Sequence, residues 1–486
     1  SATKMTVPDE FGKPFAGFSP ENPFFHLPMR PNPIMNDKKP AAGSADVQTP
    51  PRIEILLVDM NGRLRGKQIP LEAEKKVWSG GVRLPASTQS LDIWGDDNDD
   101  LTGISLTLGD PDGAVIPDPK SEVAMPWAPA GSRQVLATMH TLAGEPHFCD
   151  PRAKLAAVLE RFRDKGLTPV VATELEFYVM DGSSRETGIP MPPSILTCKG
   201  EPNGFQLYEM DSVDSMQPYL DLVRAYCQAM NLPADATTAE FGAGQYEINL
   251  NHKPDAMAAA DDCIYLKRAV EQAARKFALK STCMAKPYSD QAGSGLHVHA
   301  SLIDSDGRNV LDAKGDEPTL LKSVTAGMLK TMREAQLIFA PFANSYRRFQ
   351  PGSFAPVDVD WGYGHRGTAI RIPEKDGPAA RVEHRVAGAD VNPYLLLTAI
   401  LGGMLLGLEE TLDPGPASTP GAEREPGERL THDFLTAVEA FAASEFIGDI
   451  LGRQYQKLYA DTKRKEAITF MRTVSDFDYK TYLPRI

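Results

Sequence analysis

Glu174-Leu175-Glu176-Phe177-Tyr178-Val179 reads as a β-strand with two unlike faces. Side chains at i and i+2 of a strand share a face, so Glu174 and Glu176 point one way while Leu175, Phe177 and Val179 point the other. The apolar face belongs in a core. Two carboxylates held that close repel each other unless a cation lies between them. The segment therefore predicts a half-buried sheet with a candidate ion site on its polar face.

Three further segments repeat the pattern downstream. In Glu240-Phe-Gly-Ala-Gly-Gln-Tyr-Glu247 a glycine-bearing turn separates two carboxylates, and Glu247 shares a strand face with Asn249. Leu296-His297-Val298-His299-Ala300-Ser301-Leu302 places His297, His299 and Ser301 together, and Arg381-Val382-Glu383-His384-Arg385 sets Glu383 between two guanidinium groups. Any one of these alone is ordinarily a solvated face or a surface ion-pair ladder. Four in one region favour a shared site. Hard oxygen donors with a single imidazole suit Mg²⁺ or Mn²⁺ better than zinc. Asn344-Ser-Tyr-Arg-Arg348 and the stretch from Arg366 to Arg371 add guanidinium groups suited to carboxylate and phosphate.

Working outward, helical patterns at about 213–230, 256–280, 317–340 and 391–411 alternate with these strands, which predicts an α+β fold. Asp150 followed by Pro151 is a helix start, with Leu155, Val158, Leu159 and Phe162 on one face and Gly166 at the stop. Upstream, Ile53, Ile55 and Leu57 alternate before Asn61-Gly62, a two-residue hairpin turn, and a second strand ends near Pro70. The expected division is an irregular arm over 1–48, a small sheet domain over 49–148 and a larger domain over 149–486. Asp413 to Arg429 is dense in Pro, Gly, Glu and Thr and reads as an exposed loop.

The chain of 486 residues carries 51 basic and 65 acidic residues, a net charge of -14, and gathers no long block of Lys and Arg. That argues against nucleic acid or an anionic membrane as partner. Five widely spaced cysteines without C-x-x-C spacing fit small buried hydrophobes in a reducing, cytoplasmic setting. The stretch Tyr394 to Leu408 reads as too short and too interrupted by glycine to span a bilayer.

In order and spacing, E-L-E-F-Y, G-x-G-Q-Y-E, G-S-G-L-H-V-H-x-S, N-S-Y-R-R, the P-G-x-x-A-P loop at Pro351 to Pro356, R-I-P at Arg371 and R-V-E-x-R resemble the glutamine synthetase family from about residue 50 to 410. The run Val58 to Lys67 further resembles the branch that includes γ-glutamyl-polyamine synthetases. The resemblance implies an N-terminal β-grasp domain, a catalytic domain on a curved antiparallel sheet, and a homo-oligomer of hexameric rings stacked as a dodecamer, each site shared with a neighbouring N-terminal domain. It implies L-glutamate, ATP and an amine as substrates, and two or more Mg²⁺ or Mn²⁺ ions per site. One metal would be held by Glu176, Glu240 and Glu247, the other by Glu174, His297 and Glu383. Arg348 and Gly293 would bind the amino-acid end of glutamate and Arg385 its side-chain carboxylate. Arg366 and Arg371 would face the γ-phosphate, with Arg366 and Arg385 serving catalysis, while His299, Ser301 and Arg381 line the nucleotide site.

The departures from the family pattern concern the amine. Phe354 stands where glutamine synthetases place a glutamate in a flap that helps bind ammonium. Leu84-Pro-Ala-Ser-Thr88 offers no counterpart to the aspartate that helps deprotonate ammonium, and Ala292 replaces an asparagine. The expectation is an ATP-dependent glutamate–amine ligase. The alternatives are a true glutamine synthetase using ammonia, or an inactive relative kept as a scaffold.

Overall fold

Ile53, Ile55 and Leu57 are fully buried, and so nearly are Leu56 and Val58 on the opposite face, so the first strand is covered on both sides. This strand, β1 (Arg52–Val58), pairs antiparallel with β2 (Leu64–Pro70) and parallel with β6 (Arg133–His140). With β3 (Arg83–Pro85), β4 (Asp112–Pro117) and β5 (Val123–Ala124) they form a six-stranded sheet in the order β2-β1-β6-β4-β3, β5 adding to β6. The computed structural model describes residues 49–486 except 98–103, 106–108, 195–196, 199–200, 203–205, 315–318, 351 and 422–426. The arm expected over 1–48 lies outside the described residues. Residues Thr49–Ile486 form one compact unit.

The β1–β2 connection differs from the two-residue turn expected at Asn61-Gly62. It spans Asp59 to Arg63, because the buried Asp59 carboxylate accepts from the N–H groups of Asn61 and Arg63, each at 2.9 Å, and organises a longer loop. Gly62, at φ +75°, still supplies the left-handed residue.

The second sheet carries the four polar-faced strands. Its order is β10-β11-β7-β13-β16-β15-β14, where β7 is Thr168–Asp181, β10 Ala234–Ala239, β11 Gln245–Lys253, β13 Leu296–Ile303, β14 Trp361–Tyr363, β15 Ile370–Glu374 and β16 Arg381–His384. β12 (Leu279–Thr282) extends it along β7, and β8 (Thr197–Cys198) with β9 (Glu201–Pro202) forms a separate hairpin. All pairs are antiparallel except β14 with β15. The fold is α+β.

Helices cover the apolar face. Pro151–Asp164 begins where expected, with the Asp150 carboxylate capping Ala153 N–H at 2.9 Å. Tyr394 to Leu408 lies within an 18-residue helix, Pro393–Glu410, long and apolar enough by length and composition to cross a membrane, contrary to the reading of this stretch as too short. It is a core helix, 78% buried. Its glycines allow close packing: a Cβ added at Gly407 would stand 1.9 Å from the Ser323 carbonyl oxygen of helix Thr319–Phe339. Polar and ionic ties join the first sheet to these helices. Arg152 reaches Asp118 at 2.6 Å and Asp261 at 2.9 Å, Tyr394 donates to Asp261 at 2.6 Å, and Arg268 pairs with Glu54 of β1. These rigid layers hold the polar face of the second sheet in place.

Candidate active site

Strand register decides which polar groups meet, since directly opposed residues share a face with Cβ atoms about 4.5–5.5 Å apart. Glu176 of β7 lies opposite Glu247 of β11, and Glu174 lies opposite both Asn249 and His297. Glu383 of β16 lies opposite His299 of β13 and Arg371 of β15. Ligand-type atoms of Glu174, His297 and Glu383 fall within 4.8 Å of one another, and so do those of Glu176, Glu247 and His297. Five of the six residues expected to hold metal are thus gathered, with His297 central to both groups. Glu240, expected alongside Glu176 and Glu247, is outside these two groups and sits at the start of the turn after β10, where the charges of Glu176 and Arg366 act on it.

Three of these carboxylates have supports. Asn249 donates to Glu174 at 3.0 Å, and His299 Nε2 lies 3.0 Å from the same oxygen. The Gly295 N–H donates to Glu176 at 2.7 Å, and Gln245 reaches Glu176 at 3.4 Å while donating to the Gly293 carbonyl at 3.0 Å. Glu383, fully buried, is held by Arg385 and by Arg371, the latter at 2.5 Å. The sequence pattern paired Glu383 with Arg381 and Arg385. The second guanidinium instead comes from Arg371 on the neighbouring strand, and Arg381 donates to His299 Nδ1 at 3.3 Å.

The glycines set close approaches. A Cβ at Gly293 would meet the Ala285 carbonyl oxygen and Arg348 Cγ, each at 2.7 Å, and one at Gly242 would overlap the Tyr178 hydroxyl at 2.0 Å. Arg348 is 4% exposed and donates to the Val386 carbonyl at 3.0 Å; among the described residues its Nε has no partner, and the Nε atoms of Arg371 and Arg385 are in the same position. Three guanidinium groups therefore retain donor capacity beside the carboxylates, which suits an anionic ligand. Arg366 is exposed. A cleft of about 400 Å³ opens along the sheet, lined by Glu174, Asn249, His252, His299, Ser301 and Arg381.

The charges are unevenly balanced. Burial would raise Glu174, but hydrogen bonds with His297 and His299 outweigh it and hold the carboxyl well below the usual range. Burial likewise opposes ionisation of Glu383, and Arg385 overcomes it, so its pKa is lowered. Glu247 is pushed up to about 9 by burial and then by Glu176, Glu174 and Glu240. Glu240 is pushed up to about 7 by burial and then by Glu176. A divalent cation among these oxygens would relieve that repulsion, and the donor set of carboxylates with one imidazole fits Mg²⁺ or Mn²⁺.

Phe354 is 65% exposed, holds φ at +64°, and packs on Phe241 with ring centroids 4.8 Å apart. A bulky residue in the left-handed region is strained, which directs attention to function. Sequence reasoning did not single out Phe241 or Gln245. Gln245 stood inside the quoted G-x-G-Q-Y-E motif, whereas a phenylalanine beside a glutamate carries no signal of its own.

The chain matches the family described as glutamine synthetase, catalytic domain, over residues 148–482. It is 36% identical to gamma-glutamylputrescine synthetase PuuA of Escherichia coli (strain K12), over 89% of this chain and 91% of that protein. It is 32% identical to glutamate–isopropylamine ligase of Pseudomonas sp, over 89% of this chain and 94% of that protein. Among solved structures, apo GmaS without ligand superposes with a TM-score of 0.77 at 25% identity, covering 90% of this chain and 97% of that one.

Proposed function

The chain belongs to the glutamine synthetase family, and from that premise we propose that it is an ATP-dependent ligase joining an organic amine to the γ-carboxylate of L-glutamate. The observation that carries the choice of an amine over ammonia is Phe354, an exposed aromatic ring at the flap position where the family's glutamine synthetases use a carboxylate. Ammonium is small and strongly hydrated, so its capture needs anionic groups to replace water and accept a proton. A phenyl ring supplies neither, but offers apolar contact at about 0.8 kcal/mol per buried methylene. Relatives named for ligating putrescine and isopropylamine support the reading.

The chemistry has two steps. An oxygen of the glutamate γ-carboxylate attacks the γ-phosphorus of ATP, the bond between that phosphorus and the β-phosphate bridging oxygen breaks, and ADP leaves. The nitrogen of a neutral amine then attacks the γ-glutamyl phosphate carbonyl; its C–O bond breaks, phosphate departs, and the nitrogen loses a proton. Arg348, with Gly293, would orient the α-carboxylate end of glutamate, and Arg385 its side chain. Arg366 and Arg371 would hold the transferring phosphoryl group, and His299, Ser301 and Arg381 the nucleotide along the cleft. Glu174, Glu176, Glu240, Glu247, His297 and Glu383 would hold the divalent cations, which supply neutralisation of phosphate charge. Assembly as stacked hexameric rings is part of the same proposal, on the family likeness alone.

The test is interception of the acyl phosphate. With ATP, Mg²⁺ and glutamate but no amine, hydroxylamine should yield γ-glutamyl hydroxamate with one ADP for each. ADP release without hydroxamate would refute carboxylate activation.

A further inference from the structure

We infer that Asn344 is a positioning residue for glutamate: its side-chain amide clasps the backbone of Lys286 and so fixes the turn that carries Arg348 against the loop that carries Gly293. This rests on the ligase reading above and adds to it a residue that touches no substrate but sets how well the amino-acid end of glutamate is held.

Asn344 Oδ1 accepts from the Lys286 N–H, and its Nδ2 donates to the Lys286 carbonyl, both at 2.9 Å. One side chain thus engages both backbone groups of a single residue 58 positions away, as a neighbouring strand would. An amide carries a donor and an acceptor side by side, which a carboxylate or an alkyl chain does not, so the pairing depends on residue type as well as size. Asn344 also stands at the N-cap of the one-turn helix Ser345–Arg348, where an asparagine ordinarily caps its own turn. No such cap is made here. The amide reaches across to the other segment instead.

Both segments lead directly to residues assigned to glutamate. On one side Arg348 closes the turn that Asn344 opens, and Ser345 fastens the same turn by donating to Asp390 at 2.7 Å. On the other, the buried Lys286 donates through its ammonium group to the Gln291 carbonyl, and the Ser294 N–H donates to the Ala285 carbonyl at 2.9 Å. Both flanks of Gly293 therefore hang on residues 285 and 286. The fit leaves no slack, since a Cβ at Gly293 would meet the Ala285 carbonyl oxygen and Arg348 Cγ, each at 2.7 Å. A shift of Lys286 moves Gly293 relative to Arg348. Asn344 is itself half-buried, and its two bonds go to backbone rather than to core side chains. Without the clasp, glutamate must order the two segments as it binds, which weakens glutamate binding and leaves the nucleotide cleft alone.

The experiment measures hydroxamate formation over glutamate and ATP series in wild type, Asn344→Ala, Asn344→Asp and Asn344→Ser, with thermal melting of each. Asn344→Ala loses both bonds and should raise KM for glutamate by about tenfold or more, with KM for ATP within about twofold and kcat within about threefold of wild type. Asn344→Asp has the same size and still accepts from the Lys286 N–H, but it sets an oxygen against the Lys286 carbonyl and should do no better than alanine. Asn344→Ser, too short to span the gap, should show the same glutamate defect and carries the test if alanine does not fold. An unchanged glutamate KM in Asn344→Ala, or wild-type behaviour of Asn344→Asp, overturns the inference. So does a parallel rise in both KM values, a fall in kcat alone, or failure of Asn344→Ser to fold, each of which would make Asn344 a support for the structure at large. Failure of wild type to form hydroxamate would remove the ligase reading itself, whereas normal wild-type hydroxamate formation with an unmoved glutamate KM in the variants removes only the positioning role.

Discussion

Replacing Arg348 with methionine removes a guanidinium that is 4% exposed, bonded to the Val386 carbonyl, and left with an unpartnered Nε among the described residues. Burial already pulls its pKa below the ordinary arginine value, a measure of what enclosing the charge costs. Against that cost stand the charges of Glu176 and Asp390, which favour the guanidinium and lose it in the variant, so in the substrate-free protein the two effects oppose and the melting temperature should move little. Function should move far more. If Arg348 holds the α-carboxylate through two charge-assisted hydrogen bonds worth about 1.5–3 kcal/mol each, kcat/KM for glutamate falls by about two to four orders of magnitude. Arg348→Lys keeps the charge but loses the planar fork, and should fall between the two. The assay pairs thermal melting without ligand with hydroxamate kinetics over a glutamate series. A methionine variant whose kcat/KM for glutamate stays within about threefold of wild type refutes the assignment. A large drop in melting temperature would show that Arg348 serves the fold.

The raised pKa of Glu247 gives a pH signature. Its carboxyl ionises near 4.5 when unfolded and at about 9 in the metal-free fold, so the stability this group contributes is lost as pH rises between those values. Metal-free melting temperature should decline over that window, and Mg²⁺, which displaces the proton, should raise it more at pH 8 than at pH 6; identical Mg²⁺ shifts, or no change in Glu247→Gln, would contradict this. Asp261→Ala leaves the buried Arg152 with Asp118 and a long contact to Thr138, and should destabilise by about 3 kcal/mol in urea unfolding. A loss under about 1 kcal/mol would show that Asp118 alone suffices. Glu176→Ala should abolish hydroxamate formation while melting near wild type, and retained turnover would remove Glu176 from the site.

Much of this was legible because strand periodicity is short-range information. Glu174 and Glu176 share a face whatever the rest of the chain does, and the Asp150-Pro151 helix start is equally local. Register is not local. That Glu176 meets Glu247, 71 residues away, depends on how β7 and β11 slide past each other. The same limit explains the exchange at Glu383, where adjacency suggested Arg381 but the β15 register supplied Arg371. The β1–β2 loop was misjudged because Asn61-Gly62 is a strong turn signal, and the competing Asp59 side chain acts through hydrogen bonds that only the closed loop reveals. The helical pattern at about 391–411 matches helix Pro393–Glu410; its glycines look like interruptions of a membrane span, whereas in the fold Gly403 and Gly407 are the contact with helix Thr319–Phe339. Phe241 carried no signal until Phe354 was found on its ring.

The central claim is that the acceptor is an organic amine, and the measurement that tests it most directly is phosphate release with ATP, Mg²⁺ and saturating glutamate across ammonium, putrescine, ethanolamine and isopropylamine, in wild type and Phe354→Glu. The account predicts that at least one organic amine exceeds ammonium in kcat/KM by about tenfold or more, as two or three methylenes buried on the flap would give, and that Phe354→Glu gains ammonium activity. Ammonium equal to or better than every amine in the wild type would contradict it and make the protein a glutamine synthetase.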